Sequence, residues 1–542
     1  MPVFGVTLRP GRLERCIAPS HGATWSSVRR ITARCVTSDY VACRRATARP
    51  QQARRRDLSF RGRRTESVVR MTLFESVIDS IGSTPLVRVH RLAAGLRPRV
   101  YVKLEHQNPG GSVKDRAALS MLRAAERDGV LRPGGTVVEV TSGNTGVGLA
   151  LVAAHLGYRT VVFTSSQIAA EKIALLRAYG ADVRLVDAFV PRGHPDSLGA
   201  AADRFVADTP GAWRADQYDN PANPAAHVAT TGPEIWADTA GAVTHFVASV
   251  GTGGTISGTG ASLKALSSGR VRIIAADPTG SSYSGGDGSP KFVEGAGHTV
   301  HPEAEVDVWP QSFHVDVVDE YLTVDDREAI LTLRRAARED GLLLGGSAGT
   351  ALAAALRLAD RLGPDDLVVA LAPDSGRNAL STYYNDEWLA ERGFVFDEDV
   401  APGLDALVDE PARRVAADLT IADAIRRLEA GNVDPGSPAL AVYRRSDGLA
   451  PIPAADVVGV VTLGALRTAV VAGRADDLVR DHVGPPPPTV GVGRCAEDAV
   501  HRLEAAPLGW EAASILRDGR IVAVATRDEL LAHAAAVPEA VR

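Results

Sequence analysis

The chain has 542 residues, 45% hydrophobic, 23% charged and only 5% aromatic, a composition of ordinary globular type; at ~100–200 residues per domain it holds two to four domains. It contains no uncharged apolar run of about 18 residues, which excludes a membrane-spanning helix. The net charge of −5 hides a split: residues 1–70 carry 16 Arg against 4 acids, whereas the rest carries 44 basic against 61 acidic side chains, so the acidic body argues against a nucleic-acid partner.

Residues 1–70 lack sustained apolar periodicity and include the runs Arg54-Arg55-Arg56 and Arg63-Arg64. Such an Arg-rich, acid-poor stretch reads as a disordered leader, an organelle transit peptide or a nucleic-acid arm. Met71 is followed at once by the patterned Leu73-Phe74-Glu75-Ser76-Val77-Ile78 and is an alternative start. Three of the four Cys (Cys16, Cys35, Cys43) lie in this leader and only Cys495 lies in the body, so no disulfide framework or CxxC metal pair is available. The setting expected from this is reducing and cytoplasmic.

From about residue 100 to 390, short apolar strands alternate with helical patterns, the mark of parallel α/β architecture. The pattern predicts a strand over Thr136–Val140, a helix over Val147–His155, a strand over Thr160–Thr164, a helix over Ala169–Tyr179 and a strand over Val183–Val186. Buried strands are expected at His245–Val250, Val271–Ala276 and Leu367–Leu371. About 320 residues of this kind favour two subdomains with a cleft between them. We expect this body to span 71–395 and a Pro- and acid-rich linker to cover 396–412. A weak internal repeat fills 413–536: Ile421–Ala430 is echoed by Ala496–Ala505, and Val457–Thr462 by Ile521–Thr526. Two such units, each unable to bury a face alone, should pack together as an α+β appendage.

Three Gly-rich turns carry the chemistry. In Asn108-Pro109-Gly110-Gly111-Ser112-Val113-Lys114-Asp115-Arg116, Lys114 opens a helix. A desolvated Lys can lose its proton and form a Schiff base, though a solvated helix-terminal Lys is the plainer reading. Thr141-Ser142-Gly143-Asn144-Thr145-Gly146 joins a strand to a helix N-terminus, where hydroxyls and backbone N–H groups grip a carboxylate, or simply cap the helix. Gly251-Thr252-Gly253-Gly254-Thr255 follows another strand. It lacks the Lys of a Walker loop, and Ile256 breaks the dinucleotide pattern, so a monophosphate cradle is expected.

Together the turns suit a pyridoxal-phosphate enzyme acting on an amino acid. From Leu73 to Phe394 the sequence resembles the β-family (fold type II) of pyridoxal 5'-phosphate enzymes. Within that family it is similar to the cystathionine β-synthases, whose paired C-terminal repeats it also resembles. The resemblance implies that Lys114 bonds the cofactor, Asn144 contacts its 3′ oxygen, and Gly251, Thr252, Gly253, Gly254 and Thr255 hold its phosphate. It further implies that Thr141, Ser142, Gly143, Thr145 and Gln217 bind the substrate carboxylate, Ser347 faces the pyridine nitrogen, and Tyr218 lines the entrance used by the thiol substrate. No metal is expected, and Cys16 and His21 do not match the family's haem-binding arm, so no haem is expected.

The implied reaction joins L-serine to L-homocysteine, giving cystathionine and water. The alternative within the family is O-acetylserine sulfhydrylase chemistry with sulfide, and a non-enzyme alternative is an adenosyl-nucleotide sensor. The ribose-gripping pattern of the repeats appears as Thr462-Leu463-Gly464-Ala465 and Thr526-Arg527-Asp528-Glu529, eroded for S-adenosylmethionine. A homodimer or higher oligomer is expected from the resemblance.

Overall fold

The Val- and Ala-rich runs of the body form strands because β-branched residues suit a pleated surface and small ones admit covering helices. In this computed structural model the described residues are 4–9, 12–17, 73–141, 143–165, 168, 170–186, 190–394, 403–408, 411–448, 451–506 and 510–536. Residues 1–72 and 73–542 form two compact units. Within the first, the leader expected to lack structure contains an antiparallel pair, Phe4–Arg9 with Arg12–Ile17.

Among the described residues the body holds two sheets. In the smaller, the strands Asp182–Leu185, Arg159–Thr164, Thr136–Val140 and Ala212–Arg214 lie in that order, all parallel. The larger runs Glu320–Val324, Arg272–Pro278, His245–Ser249, Leu367–Ala372, Arg99–Leu104 and Leu86–Arg88. It is parallel except for its last strand, which pairs antiparallel with Arg99–Leu104 and departs from the expected parallel pattern. The predicted strands end within two residues of their observed limits. Ala212–Arg214, Leu86–Arg88 and Glu320–Val324 carry no clear apolar run, being short or half-buried.

Four helices position the site: α1 (Lys114–Arg127), α2 (Asn144–Leu156), α3 (Gly254–Ser267) and α4 (Gly346–Asp360). Helix α1 packs Ala117, Ala118, Met121, Leu122 and Ala125 into the core beneath the small sheet. Its approach to α2 depends on Gly148, where a Cβ would stand 3.0 Å from the Lys114 carbonyl oxygen. Helix α4 is buried along most of its length, its Ala-rich surface set against the large sheet.

The C-terminal region repeats one topology. Arg414–Ala416, Ile421–Ala430, Pro438–Val442, Val457–Thr462 and Leu463–Val471 form strand, helix, strand, strand, helix. Thr489–Gly491, Ala496–Ala505, Ala512–Arg517, Arg520–Thr526 and Arg527–Ala536 repeat that order. In each copy the first two strands are parallel and the last two antiparallel, with a bulge at Ala441/Val442 and again at Ile515/Leu516. The copies share a core of Leu440, Val442, Ile452, Val457, Leu516 and Ile521. Ile452–Pro453, from the first copy, pairs with the second copy's Arg520–Thr526 strand. The repeat also docks on the body: Asp518 N donates to Gly393 O at 3.2 Å, and Gly519 N to Arg392 O at 2.8 Å.

Candidate active site

In open α/β sheets, ligands gather beyond the C-terminal ends of the strands, where helix N-termini leave free N–H groups. Here Thr136–Val140 leads into α2, His245–Ser249 into α3, and Leu367–Ala372 into Pro373-Asp374. These ends surround one cavity of about 980 Å³. Lys114, Thr141, Gly143, Asn144, Thr145, Gln217, Tyr218, Gly251, Thr252, Gly253, Thr255 and Ser347 line it. Gly254 does not, and a Cβ there would run into the Asn223 side chain. Ser142 lies outside the described residues.

Lys114 Nζ has no hydrogen-bond or ion-pair partner among the described residues. Burial pushes its amine below the ordinary value, against the opposing pull of Asp374 and Glu105. Asn144 Nδ2 donates to Asp374 Oδ2 at 2.7 Å. Burial raises the Asp374 carboxyl, while the Asn144 bond and the charges of Lys114 and Lys172 act the other way. Its second oxygen is buried and has no hydrogen-bond partner among the described residues. Lys172, from the helix Ala170–Ala178, pairs with Glu294 on the cavity wall.

On the carboxylate side, Thr145 Oγ1 donates to Gln217 Oε1, and Gly143 N donates to Thr141 Oγ1 at 3.3 Å. Gln217 N donates to the buried Glu139 carboxylate at 3.1 Å. Burial pushes Glu139 up to about 7, although hydrogen bonds from Val140 and Gln217 oppose this.

The phosphate-type turn is braced from outside. Gly253, with φ +85°, caps α3, and a Cβ there would stand 2.3 Å from Phe313 Cβ. Asn223 Nδ2 donates to Gln217 O at 2.8 Å and to Thr252 Oγ1 at 3.1 Å, tying the two sides of the cavity together. His227 Nε2 lies 3.2 Å from Thr255 Oγ1, and its Nδ1 2.8 Å from Thr231 Oγ1. Burial, then Arg116 and Lys114, hold this imidazole well below its ordinary value, so it orients Thr255 as a neutral group. Tyr283 donates its OH to Gly251 O at 2.9 Å. Buried Ser347, near the start of α4, has no hydrogen-bond partner for its hydroxyl among the described residues, and a Cβ on Gly295 would stand 3.3 Å from its Oγ.

Asp374, Asn223, His227 and Tyr283 were not among the expected site residues. Only the fold assigns these four residues their neighbours at the cavity. In the repeats, Thr526 N and Oγ1 both donate to Glu529 Oε2, at 2.7 and 2.8 Å, so that carboxylate caps its own helix. Among the described residues, no group of three or more His, Cys, Asp or Glu side chains could hold a metal ion, and no helix is long and apolar enough to cross a membrane.

A free desolvated amine, a glycine turn at a helix N-terminus and an unpaired buried hydroxyl, all on one cavity, fit an aldehyde cofactor carrying a phosphate and a ring nitrogen. Residues 77–374 match the family described as pyridoxal-phosphate dependent enzyme. The chain is 37% identical to a cystathionine beta-synthase of Apis mellifera over 330 residues, 60% of this chain and 64% of that protein, so it spans less than two thirds of that relative. It is 41% identical to a probable cysteine synthase of Bacillus subtilis over 321 residues, 58% of this chain and 98% of that one. A crystal structure of O-ureido-L-serine synthase matches with a TM-score of 0.52 and 40% identity, covering 59% of this chain and all of that one. With this cavity and these likenesses over the body, the chain belongs to the pyridoxal-phosphate dependent enzymes of the β-replacement type.

Proposed function

We propose that the chain condenses L-serine with L-homocysteine to cystathionine and water. The observation that carries a β-replacement reading is the free Lys114 amine set among three helix N-termini on one cavity. When bound, the cofactor supplies the electron sink that makes the substrate's α-proton removable. The Gly251–Thr255 turn is the proposed phosphate holder. Thr141, Ser142, Gly143, Thr145 and Gln217 are the proposed carboxylate clamp, and Asn144 would contact the cofactor's 3′ oxygen. Lys114 takes the α-proton and returns a proton to the departing β-oxygen. Ser347, a neutral hydroxyl, would leave the ring nitrogen uncharged, which would limit the sink and favour β-departure over transamination.

The cavity of about 980 Å³, at the top of the usual small-molecule range, has to hold the cofactor, serine and the thiol of homocysteine. Tyr218, with the Arg192 guanidinium 5.8 Å from its ring centroid, is the proposed entrance for that thiol. The second reading is O-acetylserine sulfhydrylase, supported by cysteine synthases of comparable identity. Comparing kcat/KM for serine plus homocysteine with that for O-acetylserine plus sulfide tests the choice. A preference for the second pair overturns the first reading.

The paired repeats are proposed as a sensor, with S-adenosylmethionine as its candidate ligand, in a cytoplasmic homodimer or higher oligomer. Titration calorimetry on the full chain tests that ligand.

A further inference from the structure

We propose that His298, held by Asp307, is the base that receives the proton of the second substrate's nucleophile. The inference rests on the β-replacement reading above. Lys114 serves the α-carbon and the leaving group, so the incoming thiol needs another acceptor. His298 lines the same cavity. Its Nε2 is 2.9 Å from Asp307 Oδ1, and Trp309 Nε1 donates to the other Asp307 oxygen at 2.8 Å. A carboxylate on one ring nitrogen keeps the proton there and leaves a lone pair on the other. That other nitrogen, Nδ1, has no hydrogen-bond partner among the described residues.

The ring is fixed in place. His298 N donates to Ser281 Oγ at 2.8 Å, and Gly297 N to Val250 O at 2.6 Å, beside the phosphate-type turn. Its ring centroid lies 5.1 Å from that of Tyr283, whose OH holds Gly251 O. The charged groups facing it are Asp307, Lys291 and Arg192. Burial lowers the imidazole below its ordinary value, against the pull of Asp307, so it is neutral and able to accept at neutral pH.

The step balances. The S–H bond breaks and its proton goes to His298 Nδ1, while the sulfur lone pair forms the bond to the β-carbon. The pair displaced from that carbon ends in the α-C–H bond. Lys114 gave its first proton to the departing β-oxygen, so the proton it delivers to the α-carbon is a second one taken up from water, and the proton that His298 releases to water restores the balance.

Full-length holoenzyme carrying His298→Gln or Asp307→Asn tests this through two readouts. Deuterium exchange at the serine α-carbon, followed by NMR, reports the first half alone; turnover with homocysteine across pH reports both halves. For His298→Gln, exchange within about threefold of wild type is expected, turnover lower on the order of 10²-fold, and no acid limb in kcat/KM for the thiol. A thiol already ionised at the assay pH should restore most of that loss. Asp307→Asn should move the acid limb to lower pH, and it decides the matter if His298→Gln does not fold. Equal loss of exchange and turnover, an unchanged acid limb in Asp307→Asn, or no recovery with the acidic thiol overturns the proposal. Wild-type enzyme that exchanges neither serine nor O-acetylserine overturns the underlying reading instead.

Discussion

Asn144 and Asp374 are joined across the cavity by a 2.7 Å hydrogen bond, linking the N-terminus of α2 on the small sheet to the loop after Leu367–Ala372 on the large one. The bond is therefore a strut between the two sheets. The same carboxylate is the first charge opposing the desolvation of Lys114. In Asp374→Asn the raising influence is lost, and the Lys114 amine should titrate lower than in wild type. The pH dependence of Lys114 carbamylation in cofactor-free protein measures this; an unchanged midpoint contradicts the assignment.

Lys114→Ala removes a side chain whose amine has no partner among the described residues, so stability should change little. The visible absorbance of the lysine-bound cofactor should vanish, and turnover should fall on the order of 10²–10⁴-fold. Absorbance spectra of cofactor-saturated wild type and variant provide the comparison. A variant with the wild-type band would show that another residue bonds the cofactor.

Glu139 is pushed up to about 7 from an ordinary 4.5, so the fold favours its acid form. Below pH 4.5 it is protonated both folded and unfolded, and it adds no pH dependence. Between 4.5 and 7 the unfolded chain loses that proton first, so stability drops as pH rises and levels off above 7. Relative to Glu139→Gln, the wild type should lose up to about 3 kcal/mol across this window. Urea unfolding at pH 4.5, 6 and 8 reads the difference, and a gap that stays constant with pH would refute it.

Arg445 reaches from the first repeat to the body, donating to Val300 O and, at 3.2 Å, to Gly288 O, on a segment that walls the cavity. It also bonds the fully buried Asp456 at 2.6 Å. Arg445→Met strands that carboxylate with Ser446 as its remaining partner and should cost about 3 kcal/mol. Limited proteolysis should cut between 288 and 300 faster than in wild type. Unchanged cleavage and melting would mean that the repeat does not hold this segment.

Much of the site is legible in the sequence because its parts are local. A strand, a Gly-rich turn and a helix N-terminus occupy a dozen residues, so Thr141–Thr145 and Gly251–Thr255 announce an anion-binding geometry before any packing is known. The repeat is legible for the same reason: each copy carries its own helix and strand pattern, and Ile421–Ala430 and Ala496–Ala505 are helices over those residues. The antiparallel strand Leu86–Arg88 escapes notice, being three residues long and never fully buried.

What the tertiary structure alone decided is partnership. Asp374 lies 230 residues from Asn144, and Asn223 is 29 from Thr252; no periodicity relates such positions. The strand Ile452–Pro453 likewise belongs to one repeat in sequence and to the other repeat's sheet in space. Local patterns are written by backbone geometry, which repeats every 2 or 3.6 residues and so leaves a trace in the chain. Side-chain partners are chosen by which surfaces the folded sheets and helices bring together, and that choice leaves no period to read.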